Sequence, residues 1–595
     1  MSPGPDTLIL SALERRNLPA LFAALPLLRD LDPDLLAEIT REVEWFSVPA
    51  GMTLYSAGER VDGLYVVVNG ALEVLAPQAG GAARVAGRVL ANETVGEAEV
   101  ISGGSRTVSV VALRDTELAR LSVETFEKLV SRDPKSLRHI ANIVIKRLDT
   151  LQHASATRST PRTFVVVPGG PEVDAAHFAG ELARCLSGLG RTELVSGEKA
   201  HEQTSHWFHR LERANDFVVY VGEGIEGKWT KLCVRQADCA LLVVQARSPP
   251  RALRLPEAHH EPGVPGRYAE LVFLHPGSRA TPAPQGWLDL NPVRRHHHVR
   301  GSADLARLTR LLTGRSLAVV LSGGGARGFA HLGALRALEA ARLPIDAIGA
   351  TSIGAIIGAG WATGWGYQEL LERMRHSFVE KNPLGDYTLP FVSLVAGRRV
   401  GRLLRTEFGE LAIEDLPLPF FCVSANLTTG QAAVHRRGKL WLWLRASVAI
   451  PGVLPPVFTG KQVHVDGATL NNLPVDIMRD TLEGAIVAVD AGADPMPETN
   501  VEMSEVPPAW RMLPWLRERP KINILQILFR CGMINSAAAT THRRELADLA
   551  LRPPLGRIDL LDWKAFDKVV ELGYRCASEE LESHGEALRR RTALG

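Results

Sequence analysis

Three short stretches carry residue types that could do chemistry together. SGGGARG (322–328) follows an apolar run and leads into ALRALEAA; TSIG (351–354) joins IDAIGA to the Gly-studded IGAIIGAG; VHVDGA (463–468) carries an aspartate into a tight turn. Consecutive glycines let backbone N–H groups crowd around a developing negative charge, and a helix start adds partial positive charge. A serine on a sharp strand-to-helix turn needs small residues two before and two after it, because the strained turn brings backbone segments close. Around Ser352, Gly354 is one of these and Ala350 stands where the other would be Gly. An aspartate such as Asp466 can take a serine's proton directly when it is partly desolvated, which raises its pKa.

Taken singly, each stretch fits more than one role. Gly323, Gly325 and Gly328 satisfy G-x-G-x-x-G, and Asp346 lies 18 residues beyond Gly328, near where a dinucleotide site places its ribose-binding acid. The same turn fits an oxyanion hole formed by Gly323, Gly324 and Gly325, or a βα connection with no chemistry. Ser352 could pack in a helix, and Asp466-Gly467 could be an Asx turn. The order of the set separates these readings, since a dinucleotide fold has no use for a serine on the next strand-to-helix turn. Downstream of Ser352 the histidines are His376, His435, His464, His542 and His584, none in a strand-end context suited to a base. His331, just inside the helix after the glycines, reads as a packing residue. The run His296–His298 lacks i, i+4 spacing and reads as a solvated loop, so no metal site is expected.

The elements that must position these residues follow from periodicity. Residues 1–20 read as a tail and 21–155 as a small β-barrel closed by a helix near 134–152. Within the barrel, LYVVV (64–68), Asn69-Gly70 and ALEVL (71–75) give a hairpin signal. Residues 160–312 hold unalternated apolar runs, FVVVPGG, FVVYVG, ALLVVQ and ELVFLHP, spaced by helix-length segments; these predict a parallel sheet buried on both faces. No G-K-[ST] follows them, and Pro-rich segments at 248–266 and 276–292 mark loops. The strand–turn–helix rhythm restarts over 313–500, and 501–595 reads as a helical C-terminal extension with an amphipathic period near its end.

GGGARG, T-S-I-G and D-G-A, in this order, resemble the patatin-like phospholipases. TSIGAIIGA, YTLPFVSL (387–394), NNLPVD (471–476) and DWKAFDKVVELGY (562–574) resemble the neuropathy target esterase branch of that family, as do WTKLCVRQAD (229–238) and HHHVR (296–300). The resemblance spans about 160–590. It implies a three-layer α/β hydrolase domain with Ser352 as nucleophile, Asp466 as its base, the Gly323–Gly325 amides as oxyanion hole and Arg327 holding the loop. The chain departs from the pattern at Ala350 and at Ala468, where the family has the second Gly of D-G-G.

The N-terminal barrel resembles a cyclic-nucleotide-binding domain through GEAEVISGGSRTVS (96–109), which matches the phosphate-binding cassette in length. The cassette's chemistry is legible. Glu97 can accept from a ribose 2′-OH and Arg106 can pair with a cyclic phosphate, while amides from Gly96 onward add to the anion site. Thr107 suits a hydroxyl contact to a guanine amino group, favouring cyclic GMP over cyclic AMP.

The expected protein is therefore a multidomain serine hydrolase of phospholipids or lysophospholipids. It requires no cofactor, and a cyclic nucleotide (cGMP or cAMP) is its regulator; the alternative is a nucleotide sensor on an inactive hydrolase scaffold. YTLPFVSLVAG (387–397) is a candidate lipid-facing loop. Bulk properties agree: 68 basic against 66 acidic residues leave a net charge of +2, without the basic footprint of a nucleic-acid partner. The six scattered cysteines and the absence of a basic n-region predict a cytoplasmic chain. No run reaches about 18 apolar residues, so membrane contact would be peripheral, at the inner face.

Overall fold

The computed structural model describes residues 33–77, 84–132, 160–197, 205–255, 268–277, 284–492, 524–556 and 558–594. The expected tail at 1–20, the helix at 134–152, residues 501–523 of the extension and parts of both Pro-rich segments lie outside them. Two compact units emerge: Met1–Ser278 with Gln285–Thr313 and Leu594–Gly595, and Arg279–Pro284 with Gly314–Ala593.

In the first unit, eight short strands form two antiparallel sheets. They are β1 (Glu44–Val48), β2 (Thr53–Tyr55), β3 (Gly63–Asn69), β4 (Ala71–Ala76), β5 (Arg84–Leu90), β6 (Thr94–Val95), β7 (Ser109–Ala112) and β8 (Thr116–Ser122). The sheet orders are β1-β8-β3-β6 and β2-β7-β4-β5. The expected hairpin across Asn69-Gly70 is absent, because β3 and β4 lie in different sheets. The turn instead carries the chain between them, with Gly70 at φ 101° packed against Thr116, whose hydroxyl also bonds the Ala71 backbone. Helix α1 (Glu97–Ser102) begins the cassette between β6 and β7.

The same unit holds a six-stranded, all-parallel sheet: β9 (Thr163–Pro168), β10 (Thr192–Ser196), β11 (Phe217–Val221), β12 (Cys239–Gln245), β13 (Tyr268–Leu274) and β14 (Arg295–Val299), in the order β10-β11-β9-β12-β13-β14. Phe164 and Val166 join one apolar cluster and Val165 and Val167 another, so both faces of β9 are buried, as the unalternated runs predicted. The histidine run is not the solvated loop expected of it. It forms β14, where His297 and His298 are buried. Glu270 on β13 makes that burial tolerable, lying 2.6 Å from His297 Nε2 and ion-paired to Arg295.

The second unit is an α/β sheet. Parallel strands β15 (Ser316–Leu321), β16 (Ala347–Thr351), β17 (Phe420–Asn426), β21 (Gly484–Val489) and β22 (Leu549–Leu551) form its body, with antiparallel β18 (Gln431–His435), β19 (Val457–Thr459) and β20 (Gln462–Asp466) on the β17 side. The helices that matter below are α2 (Ala330–Ala340), α3 (Ile353–Thr363), α4 (Arg398–Phe408), α5 (Leu440–Ser447), α6 (Ile524–Glu545) and α7 (Phe566–Thr592). The tail is more than a helical extension, since it adds β22 to the sheet edge. Among the described residues no helix is long and apolar enough to cross a membrane.

Candidate active site

Ser352 follows β16 and caps α3 at φ 56° and ψ −128°, a strained conformation outside the ordinary regions. The surrounding structure holds it there. Ser352 N donates to Ser447 Oγ at 2.9 Å, its carbonyl accepts from Ala355 N, and Thr351 Oγ1 ties the strand end to Asn471 O. The turn is tight enough that a Cβ on Gly354 would sit 2.5 Å from Ser322 O and 2.7 Å from Leu321 O, so glycine is required there. Ala350 is different. It lies inside β16 in register with Leu321 and Cys422, fully buried, and it is not among the residues with positive φ. Its methyl is core packing, and the strain of the turn falls on Ser352 itself. Ala350→Gly is therefore expected to leave kcat within about twofold while lowering stability by roughly 1 kcal/mol, from lost packing and added chain entropy. Kinetics and thermal melts of the pair check this; a large kcat change would place the strain at Ala350 after all.

Asp466 ends β20, directly opposite Ser424 on antiparallel β17. Ser352 Oγ donates to Asp466 Oδ2 at 2.7 Å, and Asp466 Oδ1 accepts from Ala468 N at 2.9 Å. Both side chains are enclosed, Ser352 6% and Asp466 2% exposed. Burial pushes the Asp466 carboxyl up to about 7, against the opposing pull of the Ala468 amide and the Ser352 hydroxyl. Ala468 makes its contact through backbone at a position without positive φ, so its methyl does not disturb the turn.

The glycine loop after β15 faces this pair, but its three glycines do not act alike. Gly323 N already donates to Asn472, to Oδ1 at 3.1 Å and to the carbonyl at 3.3 Å. This corrects the expectation that Gly323 supplies an oxyanion donor; its part is close approach, a Cβ there meeting Ser352 Cβ at 3.0 Å. The Gly324 and Gly325 amides have no acceptor among the described residues. Gly325 adopts φ 55°, and a Cβ would strike the Leu560 carbonyl, so only glycine fits. Arg327 is buried in this loop, its Nε donating to Ile558 O at 2.5 Å, while Ala326 N donates to Leu560 O at 2.7 Å. Ser447, Asn472 and the 558–560 carbonyls are positioning groups that sequence reasoning missed. Only the Asn-Asn pair after D-G-A gave a hint.

The competing residues lie elsewhere. His331 is fully buried, Nε2 donating to Ser322 O at 2.8 Å, and burial lowers its pKa to about 4, so it is a neutral packing residue. His435 and His464 converge on Ser424 rather than Ser352. Asp346 is buried with Oδ2 accepting Leu317 N, which leaves no ribose site. Among the described residues no group of side chains could hold a metal ion.

The cassette of the barrel brings Gly96, Glu97, Arg106 and Thr107 together but engages their donors internally. Arg106 is buried, its Nη2 donating to Asp62 Oδ1 and Gly63 O at 2.7 Å each and its Nη1 lying 3.5 Å from Gly96 O, with the guanidinium 4.0 Å over the Tyr55 ring. Thr107 Oγ1 donates to Glu99 Oε1 at 2.6 Å. Glu97 and Glu99 are both buried beside them. As arranged, these donors do not fit a cyclic phosphate until Asp62 and Glu99 give way.

A parallel sheet with a strained serine turn, a glycine loop and a buried carboxylate defines an α/β hydrolase, and comparison with known proteins narrows the class. The patatin-like phospholipase family model matches residues 319–479, the cyclic nucleotide-binding domain model residues 45–133, and the Neuropathy Target Esterase family P-loop like domain model residues 160–317. An uncharacterised NTE family protein of Mycobacterium bovis is 32% identical over 582 residues, covering 95% of this chain and 96% of its own length. Patatin-like phospholipase domain-containing protein 6 of Homo sapiens is 29% identical over 607 residues, covering 90% of this chain; the chain spans 44% of that relative's length. The regulatory domain of Toxoplasma gondii PKA, crystallised with cAMP, is 21% identical over 20% of this chain and 46% of that one, with a TM-score of 0.19. The chain belongs to the NTE family. It is a lipid carboxylic ester hydrolase with a cyclic nucleotide-binding domain.

Proposed function

We propose that the chain cleaves the acyl ester of a phospholipid or lysophospholipid with Ser352 as nucleophile and Asp466 as general base. The observation that carries this is the 2.7 Å hydrogen bond from Ser352 Oγ to a carboxylate whose pKa burial has brought to about 7. Asp466 takes the hydroxyl proton as Oγ attacks the ester carbonyl. The resulting oxyanion accepts from the Gly324 and Gly325 amides. Collapse expels the alcohol, which takes the proton back, and leaves an acyl-serine. A water deprotonated by the same Asp466 attacks the acyl carbon and frees the fatty acid and Ser352. A fluorophosphonate probe is expected to label the protein at Ser352; an unlabelled Ser352 would favour the alternative of a nucleotide sensor on an inactive scaffold.

A second reading, supported by the nucleotide-binding domain, is that a cyclic nucleotide tunes this activity by displacing Asp62 from Arg106. The chain's fatty-acid release is then expected to respond to cGMP or cAMP, and Arg106→Ala to abolish the response. A response that survives in Arg106→Ala would exclude the cassette as its origin.

A further inference from the structure

Helix α4 reads RRVGRLLRTEF. Its period buries Val400, Leu404 and Phe408 and leaves Arg398, Arg402 and Arg405 exposed on one face. Between that face and α5 lies a groove of about 580 Å³, lined by these three arginines, Trp441, Arg445 and the Ala396–Gly397 turn. Arg445 is the unusual member. It is 7% exposed, Nη2 donates to Pro455 O at 3.0 Å, and the buried Nη1 has no hydrogen-bond partner among the described residues. Burial lowers its pKa to about 10, opposed by the Asp386 carboxylate. Asp386 itself accepts from the Arg398 and Arg399 amides through Oδ2 at 2.7 and 3.1 Å.

A buried guanidinium with an unused N–H beside a cavity is costly unless an anion completes it. Among the described residues no carboxylate bonds that Nη1, and the Asp386 charge acts on Arg445 without a hydrogen bond to it. Glu407 on α4 pairs with Arg373 at 2.6 Å, and Glu410 with Lys439 at 2.9 Å. Arg405 is steadied 4.1 Å over the Trp441 ring, which leaves its N–H edges for a ligand.

Two connections indicate which anion. Helix α5 carries Arg445 and, two residues on, Ser447, whose hydroxyl receives the Ser352 amide, so groove and nucleophile are set by one short helix. The segment leading into α4 folds back on itself through Thr388 N to Leu394 O and Ala396 N to Asp386 O, and presents Tyr387, Leu389 and Phe391 to solvent at 80, 72 and 89% exposure. An apolar rim beside a basic groove suits an amphiphile with acyl chains and a phosphate.

We infer that the groove between α4 and α5 binds the phosphate of the substrate headgroup, with Arg445 at its floor and Arg402 and Arg405 at its mouth. This rests on the ester hydrolase reading above and adds the headgroup to it.

The test compares the full-length wild type with an Arg402→Gln/Arg405→Gln variant, both exposed positions, on two monomeric short-chain esters: a lysophospholipid and the phosphate-free monoacylglycerol of the same chain. The wild type is expected to prefer the phosphate ester, and the variant to lose about tenfold of that kcat/KM ratio through KM, the worth of one charge-assisted hydrogen bond. Arg445→Gln, where it folds, should lose as much or more. Inorganic phosphate should bind the wild type by calorimetry and bind the variant more weakly. An unchanged ratio, phosphate binding equal in both proteins, or a loss seen with vesicle-embedded substrate alone would overturn the inference, the last marking a surface-docking contact instead. Calorimetry reads the groove independently of Ser352, so an unlabelled serine with intact phosphate binding would sink the nucleophile and not the groove.

Discussion

Ser352→Ala is expected to reduce fatty-acid release by roughly 10⁴- to 10⁶-fold, the scale on which removal of a catalytic nucleophile acts. The fold should survive. The hydroxyl's hydrogen bond is to Asp466, and the backbone contacts that hold the turn, to Ser447 and Ala355, do not involve the side chain. Losing that hydrogen bond removes one of the two interactions that hold the Asp466 pKa down, so the variant's carboxyl should titrate still higher. The measurement is hydrolysis of a lysophospholipid together with the thermal melt. A loss of activity with a collapsed melt would say nothing of nucleophilicity, so the melt is part of the result. Activity within tenfold of the wild type would exclude Ser352 as nucleophile.

Asp466→Asn carries the second large effect and has a pH signature of its own. In the wild type, kcat/KM should fall about tenfold per unit below pH 7, because the base must be ionised and its pKa is about 7. The Asn variant should lose roughly 10³-fold at pH 8. Its stability should move the other way. A carboxyl whose folded pKa is raised from 3.8 to about 7 favours folding fully only while protonated; that contribution is lost as pH rises from about 4 through 7. Asparagine keeps the acceptor for Ala468 N and carries no charge, so it should be more stable than the wild type at pH 8 by about 2 to 4 kcal/mol, and the gap should close towards pH 4. Denaturant unfolding at the two pH values reads this. An Asn variant less stable at pH 8 would mean that the ionised carboxylate is favoured in the fold, and the case for a poised base would fail.

Much of the site could be read from the residues because its chemistry restricts their type. The proposed nucleophilic hydroxyl, a carboxylate and a run of glycines each stand at a strand end, where short turns leave recognisable small residues. The supporting groups were illegible for the opposite reason. Ile558 and Leu560 act through backbone carbonyls that any residue carries, and Ser447 sits in RASVAI with nothing to distinguish its hydroxyl. Gly323 was misassigned because a glycine run shows that amides come close without showing which are already bonded. Asn69-Gly70 marked a turn correctly, but turn chemistry does not say whether the flanking strands pair. The histidine run was misread because polarity alone predicts exposure. Glu270, 27 residues before His297, supplies the compensation from the neighbouring strand.

The carbonyls of Ile558 and Leu560 also set how far this hydrolase can be reduced. Residues 319–479, the span of patatin-like character, contain both Ser352 and Asp466 yet end well before the segment that grips Ala326 and Arg327. The boundary of family likeness is therefore not the boundary of a working part. A fragment cut there would keep the proposed nucleophile and base but lose the grip on the glycine loop, and with it two strands of the sheet, β21 and β22. Transplanting the activity into another chain, or trimming this one, has to carry the residues through α7.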